Sequence, residues 1–217
     1  MIYYAKVFPE DDISPKVMSL WKEMPEERRE RSLRFRRRKD FARCVFAYGL
    51  LRHALYAEYG LRPCRIQREP AHGKPYFCDV QFPYFNLSHS GNYIACALSD
   101  SEVGIDVQTS DEMDVLLADR ILSAQEQSLL TGNDKKSALT RAWALKESRL
   151  KMSGEGLATD MRTISLAHHR EWDFKEDQLY YMVRSVEDCF ISVCSPKPIV
   201  QKELISVGIN ELFPGTV

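Results

Sequence analysis

Two stretches of this chain carry a similar pattern 96 residues apart: 86–99 (NLSHSGNYIACALS) and 182–195 (MVRSVEDCFISVCS). Two long helical patterns, 40–59 and 135–152, fall at nearly the same offset. Both ends of the chain run through helices into strands, which predicts a duplicated α+β unit of roughly 100 residues, a usual domain size. A duplicated unit invites a ligand site in the cleft between its copies.

The elements follow from periodicity and punctuation. Residues 2–8 are apolar and aromatic and read as a strand. Ser14 and Pro15 open a helix running to about Glu23, and Pro25 opens a second that carries arginines. Phe41, Cys44, Val45, Tyr48, Leu51 and Leu55 recur at helical spacing before Gly60 stops the third helix. Strands are expected at 64–68, 85–88, 93–98 and 103–107. Ser123 and Glu126 form a capping box, and a helix over 135–152 closes at Gly154. Further strands are expected at 163–166, 179–184, 189–194 and 204–209.

Net charge is −1, yet nine basic residues crowd 28–43 against Glu30 and Asp40. Such a local excess attracts an anion or an acidic partner. The six cysteines, Cys44, Cys64, Cys78, Cys96, Cys189 and Cys194, include no CxxC pair and no zinc spacing. They read as reduced and structural, which predicts a cytoplasmic protein. No signal peptide is visible in 1–12, and no apolar run approaches a membrane span.

Four short segments carry candidate chemistry. In VGIDVQ (103–108), Asp106 and Gln108 share a strand face, the apolar residues pointing the other way. Asp106 is then either a strand-end acid bonded to backbone amides or a ligand for a hard cation such as Mg²⁺. On the last long helix Trp143, Glu147 and Lys151 stand four apart and form one stripe. Glu147 with Lys151 reads as an exposed ion pair or as a face that meets a ligand. FNLSHSG (85–91) runs a strand into a polar turn whose tip holds Ser88, His89 and Ser90, either a plain hairpin turn or a set of phosphate donors. His72-Gly73-Lys74-Pro75 is a turn presenting one lysine.

Together and in this order, GKP (73–75), FNLSHSG (85–91), VGIDV (103–107) and WALKESRLKMSGEGL (143–157) resemble the 4′-phosphopantetheinyl transferase superfamily, surfactin-synthetase-activating type. The arginine-rich stretch 25–43 is similar to that family's N-terminal region. The resemblance implies an α+β pseudo-dimer of two subdomains, 1–102 and 103–217, each a small, mainly antiparallel sheet packed with helices. It implies transfer of the 4′-phosphopantetheine arm of coenzyme A to a serine of an acyl or peptidyl carrier protein, releasing adenosine 3′,5′-bisphosphate. Mg²⁺ would be held by Asp106, Glu147 and Gln108, with Glu147 as the base for the serine hydroxyl and Lys151 on a phosphate. Arg28, Arg31, Arg43, Cys44, Lys74, Ser88 and His89 would meet coenzyme A. The family's commoner GIDxE pattern places an acid where Gln108 stands, which predicts weaker metal affinity. Cys44 replaces a more usual hydroxyl residue.

A coenzyme A or nucleotide-binding protein without transfer would need the cationic residues but not Glu147, and the intact W…KE…K stripe argues against it. A nucleic-acid module on the arginine helix is disfavoured by the near-neutral charge and the lack of a known motif. Two halves joined in one chain predict a monomer without nucleic-acid or membrane partners.

Overall fold

The computed structural model describes residues 1–8, 14–62, 65–70, 73–78, 80, 83–128, 130, 134–156 and 159–213. Cys64 and His72, and part of the expected 64–68 strand, lie outside them.

Strand β1 (Ile2–Lys6) is followed by α1 (Pro15–Glu23), α2 (Glu26–Ser32) and α3 (Arg38–Tyr59). A small hairpin, β2 (Ile66–Arg68) and β3 (Pro75–Phe77), leads to a longer one, β4 (Tyr84–Ser90) and β5 (Tyr93–Ser99). The second half repeats the plan. It has β6 (Gly104–Thr109), two single-turn helices α4 (Ala118–Ile121) and α5 (Ala124–Gln127), then α6 (Lys135–Ser153). Strands β7 (Asp173–Glu176), β8 (Leu179–Val186), β9 (Cys189–Ser195) and β10 (Ile205–Ser206) complete it.

The register makes the duplication concrete. In the β4–β5 hairpin Tyr84 pairs with Ser99 and Ser90 with Tyr93; shifted by 96, these are the Tyr180–Ser195 and Val186–Cys189 pairs of β8–β9. β1 lies antiparallel on β5 as β6 lies on β9, Ile2 opposite Ala97 and Ile105 opposite Val193. The sheets run β10-β1-β5-β4 and β6-β9-β8-β7. Both long helices end on a left-handed glycine, Gly60 (φ 64°) and Gly154 (φ 80°), as the sequence predicts.

Strand alternation sorts the cores. Ile94, Cys96 and Leu98 of β5 face α3, whereas Tyr93, Ala95 and Ala97 face the second sheet. Ile191 and Val193 of β9 meet them, and Cys194 turns to the core under α6. The layers are therefore helix, sheet, sheet, helix, and the central strands are buried on both faces. β10 returns to pair parallel with β1, and Val207, Leu212 and Phe213 join the first-half core.

Three expectations need correction. Residues 163–166 form no strand but follow a 3₁₀ turn (Met161–Thr163) capped by Asp160. The amides of Leu166 and Ala167 donate to the Glu126 carboxylate (3.0 and 2.8 Å) instead of to a neighbouring strand. Residues 204–209 keep only the two-residue β10 before a second 3₁₀ turn, Ile209–Leu212. Ser88, His89 and Ser90 lie inside β4 and not at a turn tip; the turn is Gly91-Asn92. The short edge strands β3 and β7 are not expected from the pattern.

Candidate active site

The two sheets meet through β4 and β6, and the polar residues of β4 make the joint. Asn86, Ser88 and Ser90 are two apart and share one face. Their side-chain oxygens accept from the backbone amides of Ile105 (3.0 Å), Val107 (3.2 Å) and Thr109 (3.1 Å). β6 is an edge strand whose outward amides are thus satisfied by a ladder of side chains. The ladder fixes Asp106 beside Ser88, whose hydroxyl donates to Asp106 Oδ1 at 2.8 Å.

α6 descends onto the same face of β6. A Cβ on Gly104 would stand 2.0 Å from the Ser148 carbonyl oxygen and 2.4 Å from the Met152 amide, so only glycine admits the helix this close. The approach brings Glu147 and Lys151 to Asp106. Lys151 Nζ donates to Asp106 Oδ1 (2.6 Å) and Ser88 Oγ (2.8 Å). The exposed Glu147–Lys151 ion pair that helical spacing allows is not what forms: Lys151 is bound to Asp106, and Glu147 is buried. Trp143, on the same stripe, packs against the second-half core.

Two carboxylate oxygens here, Asp106 Oδ2 and Glu147 Oε1, are buried without a hydrogen-bond partner. Burial pushes the Glu147 carboxyl up to about 7, and the Asp106 charge adds to the rise while Lys151 opposes it. Burial also raises Asp106, against the pull of Lys151 and Ser88. A pair of buried, unsatisfied acids is what a divalent cation relieves, so these residues fit a hard metal ion. Gln108 follows Asp106 on the same strand face, half-buried, its Nε2 donating to the Thr109 carbonyl at 3.2 Å.

Beside the acids lies a cleft of about 230 Å³ walled by α2, α3, the β2–β3 turn, β4 and the end of α6. Its lining is cationic: Arg28, Arg31, Arg68, Lys74 and Lys151, with neutral His89 among them. Arg28 is buried, with its Nε unpartnered and Nη2 directed at Cys44 Sγ (3.9 Å). Arg31 is lowered by burial first and then by Arg68. Lys74 donates to the Met152 carbonyl at the foot of α6, and burial lowers it despite Glu102 and Glu69. Burial, with Lys151 and Arg43, pushes His89 down to about 4, so at neutral pH it is an uncharged donor. Cations crowded on one cleft, one of them the buried Arg28 with an unpartnered donor, make a site for a polyanion.

The structure thus brings Arg28, Arg31, Cys44, Lys74, Ser88, His89, Asp106, Glu147 and Lys151 to one region. It does not bring Arg43, whose guanidinium is used by the Gly91 carbonyl (2.8 Å), Asp40 (3.1 Å) and Glu112 (2.7 Å), facing a separate groove. Arg68 was missed. Its strand is short, and only the β2–β3 turn, where it donates to the Gly73 carbonyl, carries it to the wall. Lys146, the neighbour of Glu147, points the opposite way. It is fully buried and donates to Glu126 (2.6 Å) and to the carbonyls of Ile121 and Met161.

Residues 102–190 match the model of the 4′-phosphopantetheinyl transferase superfamily. The 4′-phosphopantetheinyl transferase Sfp of Bacillus subtilis is 27% identical over 198 residues, 86% of this chain and 88% of that protein. Another 4′-phosphopantetheinyl transferase of Bacillus subtilis is 32% identical over 144 residues, 64% of each chain. The 4′-phosphopantetheinyl transferase gsp of Aneurinibacillus migulanus is 30% identical over 135 residues, 60% of this chain and 56% of that one. The family model lies over β6 and α6 and the first of these relatives aligns along most of its length, so this chain is similar to the 4′-phosphopantetheinyl transferase superfamily in the half that carries the acids and, more distantly, along most of its length.

Proposed function

We propose that this protein is a 4′-phosphopantetheinyl transferase that moves the phosphopantetheine arm of coenzyme A onto a serine hydroxyl of an acyl or peptidyl carrier protein. One observation carries the reading: a cationic cleft is joined through its Lys151 to Asp106, one of two buried acids that each keep an oxygen without a partner. Such a pairing suits a pyrophosphate ester, an anion that needs charge neutralised on both the moving and the departing phosphate.

In this reading Arg28, Arg31, Arg68 and Lys74 bind the nucleotide phosphates, and His89 donates a neutral N–H to one of them. Cys44 forms wall. Asp106 and Glu147 would hold Mg²⁺, with Gln108 as an uncharged third donor, and the ion would supply charge neutralisation at the pyrophosphate. Lys151, bound to Asp106 and lining the cleft, would pair with a phosphate oxygen of the substrate. Glu147 takes the proton of the serine hydroxyl, and a bound cation would keep that carboxylate ionised for the task. Adenosine 3′,5′-bisphosphate leaves. Arg43 is assigned the β4–β5 turn and not the nucleotide.

The two repeats, dividing near Glu102, each supply one wall of this single cleft, so one chain completes the site and a monomer suffices. The free thiols among the described residues suit the cytoplasm. No helix of the described residues is long and apolar enough to cross a membrane.

The test is to incubate the protein with coenzyme A, Mg²⁺ and apo carrier proteins and weigh the carriers by intact mass. A gain of one phosphopantetheine arm, abolished by EDTA, is the expected result. Coenzyme A binding without a gain on any carrier would replace the reading with that of a binding protein.

A further inference from the structure

Away from the cleft, the segment after the Met161–Thr163 turn brings His168 and His169 against Glu176 at the end of β7. One ligand atom of each residue lies within 4.8 Å of the other two. His169 Nε2 stands 3.3 Å from Glu176 Oε2, long for a charge-assisted hydrogen bond. It also matches the separation of two ligands on a tetrahedral ion, since metal bonds of about 2.0–2.1 Å at tetrahedral angles place donor atoms about 3.3 Å apart. On the other side of the ring, Nδ1 faces the Glu171 carboxylate at 3.5 Å. A carboxylate there orients a metal-bound imidazole and fixes its tautomer.

The surroundings hold these groups in advance. Arg141 of α6 donates to the His169 and Glu171 carbonyls, at 2.6 and 2.7 Å. The His169 ring stacks on Phe174 (3.9 Å, 15° between planes), and Phe174 stacks on Tyr181. His168 lies over His169 with centroids 4.1 Å apart and is exposed, so its ring can turn off the stack to complete the set, and a water can take the fourth position.

We propose that His168, His169 and Glu176 form a binding site for a zinc-class transition metal, clipping the 167–171 segment to β7 and α6. Two imidazoles and one carboxylate favour Zn²⁺, Co²⁺ or Ni²⁺ over Mg²⁺, which prefers an all-oxygen shell. The site is separate from the acids of the cleft, and its occupant stabilises the fold without entering the reaction.

The test is calorimetric titration of Zn²⁺ into the full chain held in excess Mg²⁺, repeated for His168→Ala and Glu176→Gln. Neither substitution removes core packing, since His168 is exposed and Gln keeps the shape of Glu. One Zn²⁺ per chain is expected, with affinity at least tenfold lower in each variant and a zinc-dependent rise in melting temperature seen only in the parent. Without zinc, all three proteins melt alike. No saturable zinc binding overturns the proposal, and so does binding that both variants retain undiminished.

Discussion

Replacing Glu147 by Gln should stabilise the metal-free protein while abolishing transfer. An ordinary glutamate ionises near 4.5, and burial beside Asp106 carries Glu147 to about 7. Between those values the unfolded chain has released the proton and the folded protein retains it. Wild-type stability therefore falls as pH rises from about 4.5 to about 7 and levels off above. At roughly 1.36 kcal/mol per pH unit, the penalty above pH 7 is about 3 kcal/mol. Gln is never charged and so carries none of this penalty. In a chain of this size each kcal/mol moves the melting temperature by roughly 2–4 °C. The variant in EDTA should then melt roughly 6–12 °C above wild type at pH 8 and within a degree or two at pH 4.5. Adding Mg²⁺ should raise the wild type and leave the variant nearly unmoved. Thermal unfolding followed by circular dichroism reads all four conditions. Equal melting at pH 8, or a less stable variant, would refute the claim that Glu147 is a strained acid awaiting a cation.

Gln108→Glu adds a charged oxygen on the Asp106 face and should lower the Mg²⁺ concentration for half-maximal transfer, read by a metal titration of the rate. Lys74→Met removes a cation of the cleft lining that, in the proposed function, meets coenzyme A away from the reacting atoms. It should raise KM for coenzyme A several-fold with little change in kcat, and a selective fall in kcat would contradict that placement. Glu126→Ala strands fully buried Lys146 and frees the amides of Leu166 and Ala167, at a cost of about 3–5 kcal/mol by denaturant titration. Gly104→Ala forces α6 off β6, and its loss of stability should reach or exceed the roughly 1–3 kcal/mol of ordinary overpacking, with transfer falling in parallel.

What the sequence makes legible here is whatever local rules govern. The capping box at Ser123 and Glu126 forms, and the long helices end on Gly60 and Gly154. The hairpins repeat at the offset read from the pattern. What it hides is set by partners far along the chain. No periodicity says that the amides at 166 and 167 will be claimed by a carboxylate 40 residues earlier, which turns an expected strand into irregular backbone. Arg43 looks like any other member of a basic stretch, and only the fold shows Glu112 and the Gly91 carbonyl waiting for it. Arg68 enters the cleft because Glu27 and the β2–β3 turn hold it there.

The adjacent pair Lys146 and Glu147 shows how the site depends on the fold that surrounds it. Neighbours on a helix point about 100° apart, so the two cannot serve one site. Lys146 anchors α6 to α5 and to the Met161 turn through a pair whose hydrogen bonds are all satisfied, which fixes the rotation of the helix. Gly104 fixes its height above β6. With rotation and height both set, Glu147 is held beside Asp106 of β6, next to the joint between the halves, where its Oε1 finds no donor. The first half brings Arg28, Arg31, Arg68 and Lys74, the second brings the acids and Lys151, and the side-chain ladder from β4 to β6 holds the two at one fixed spacing. Duplication supplies two similar scaffolds, but the chemistry comes from their divergence. The serines of β4 have Arg184 and Val186 as counterparts in β8, on the far side of the second sheet, where no ladder to a second β6 exists among the described residues.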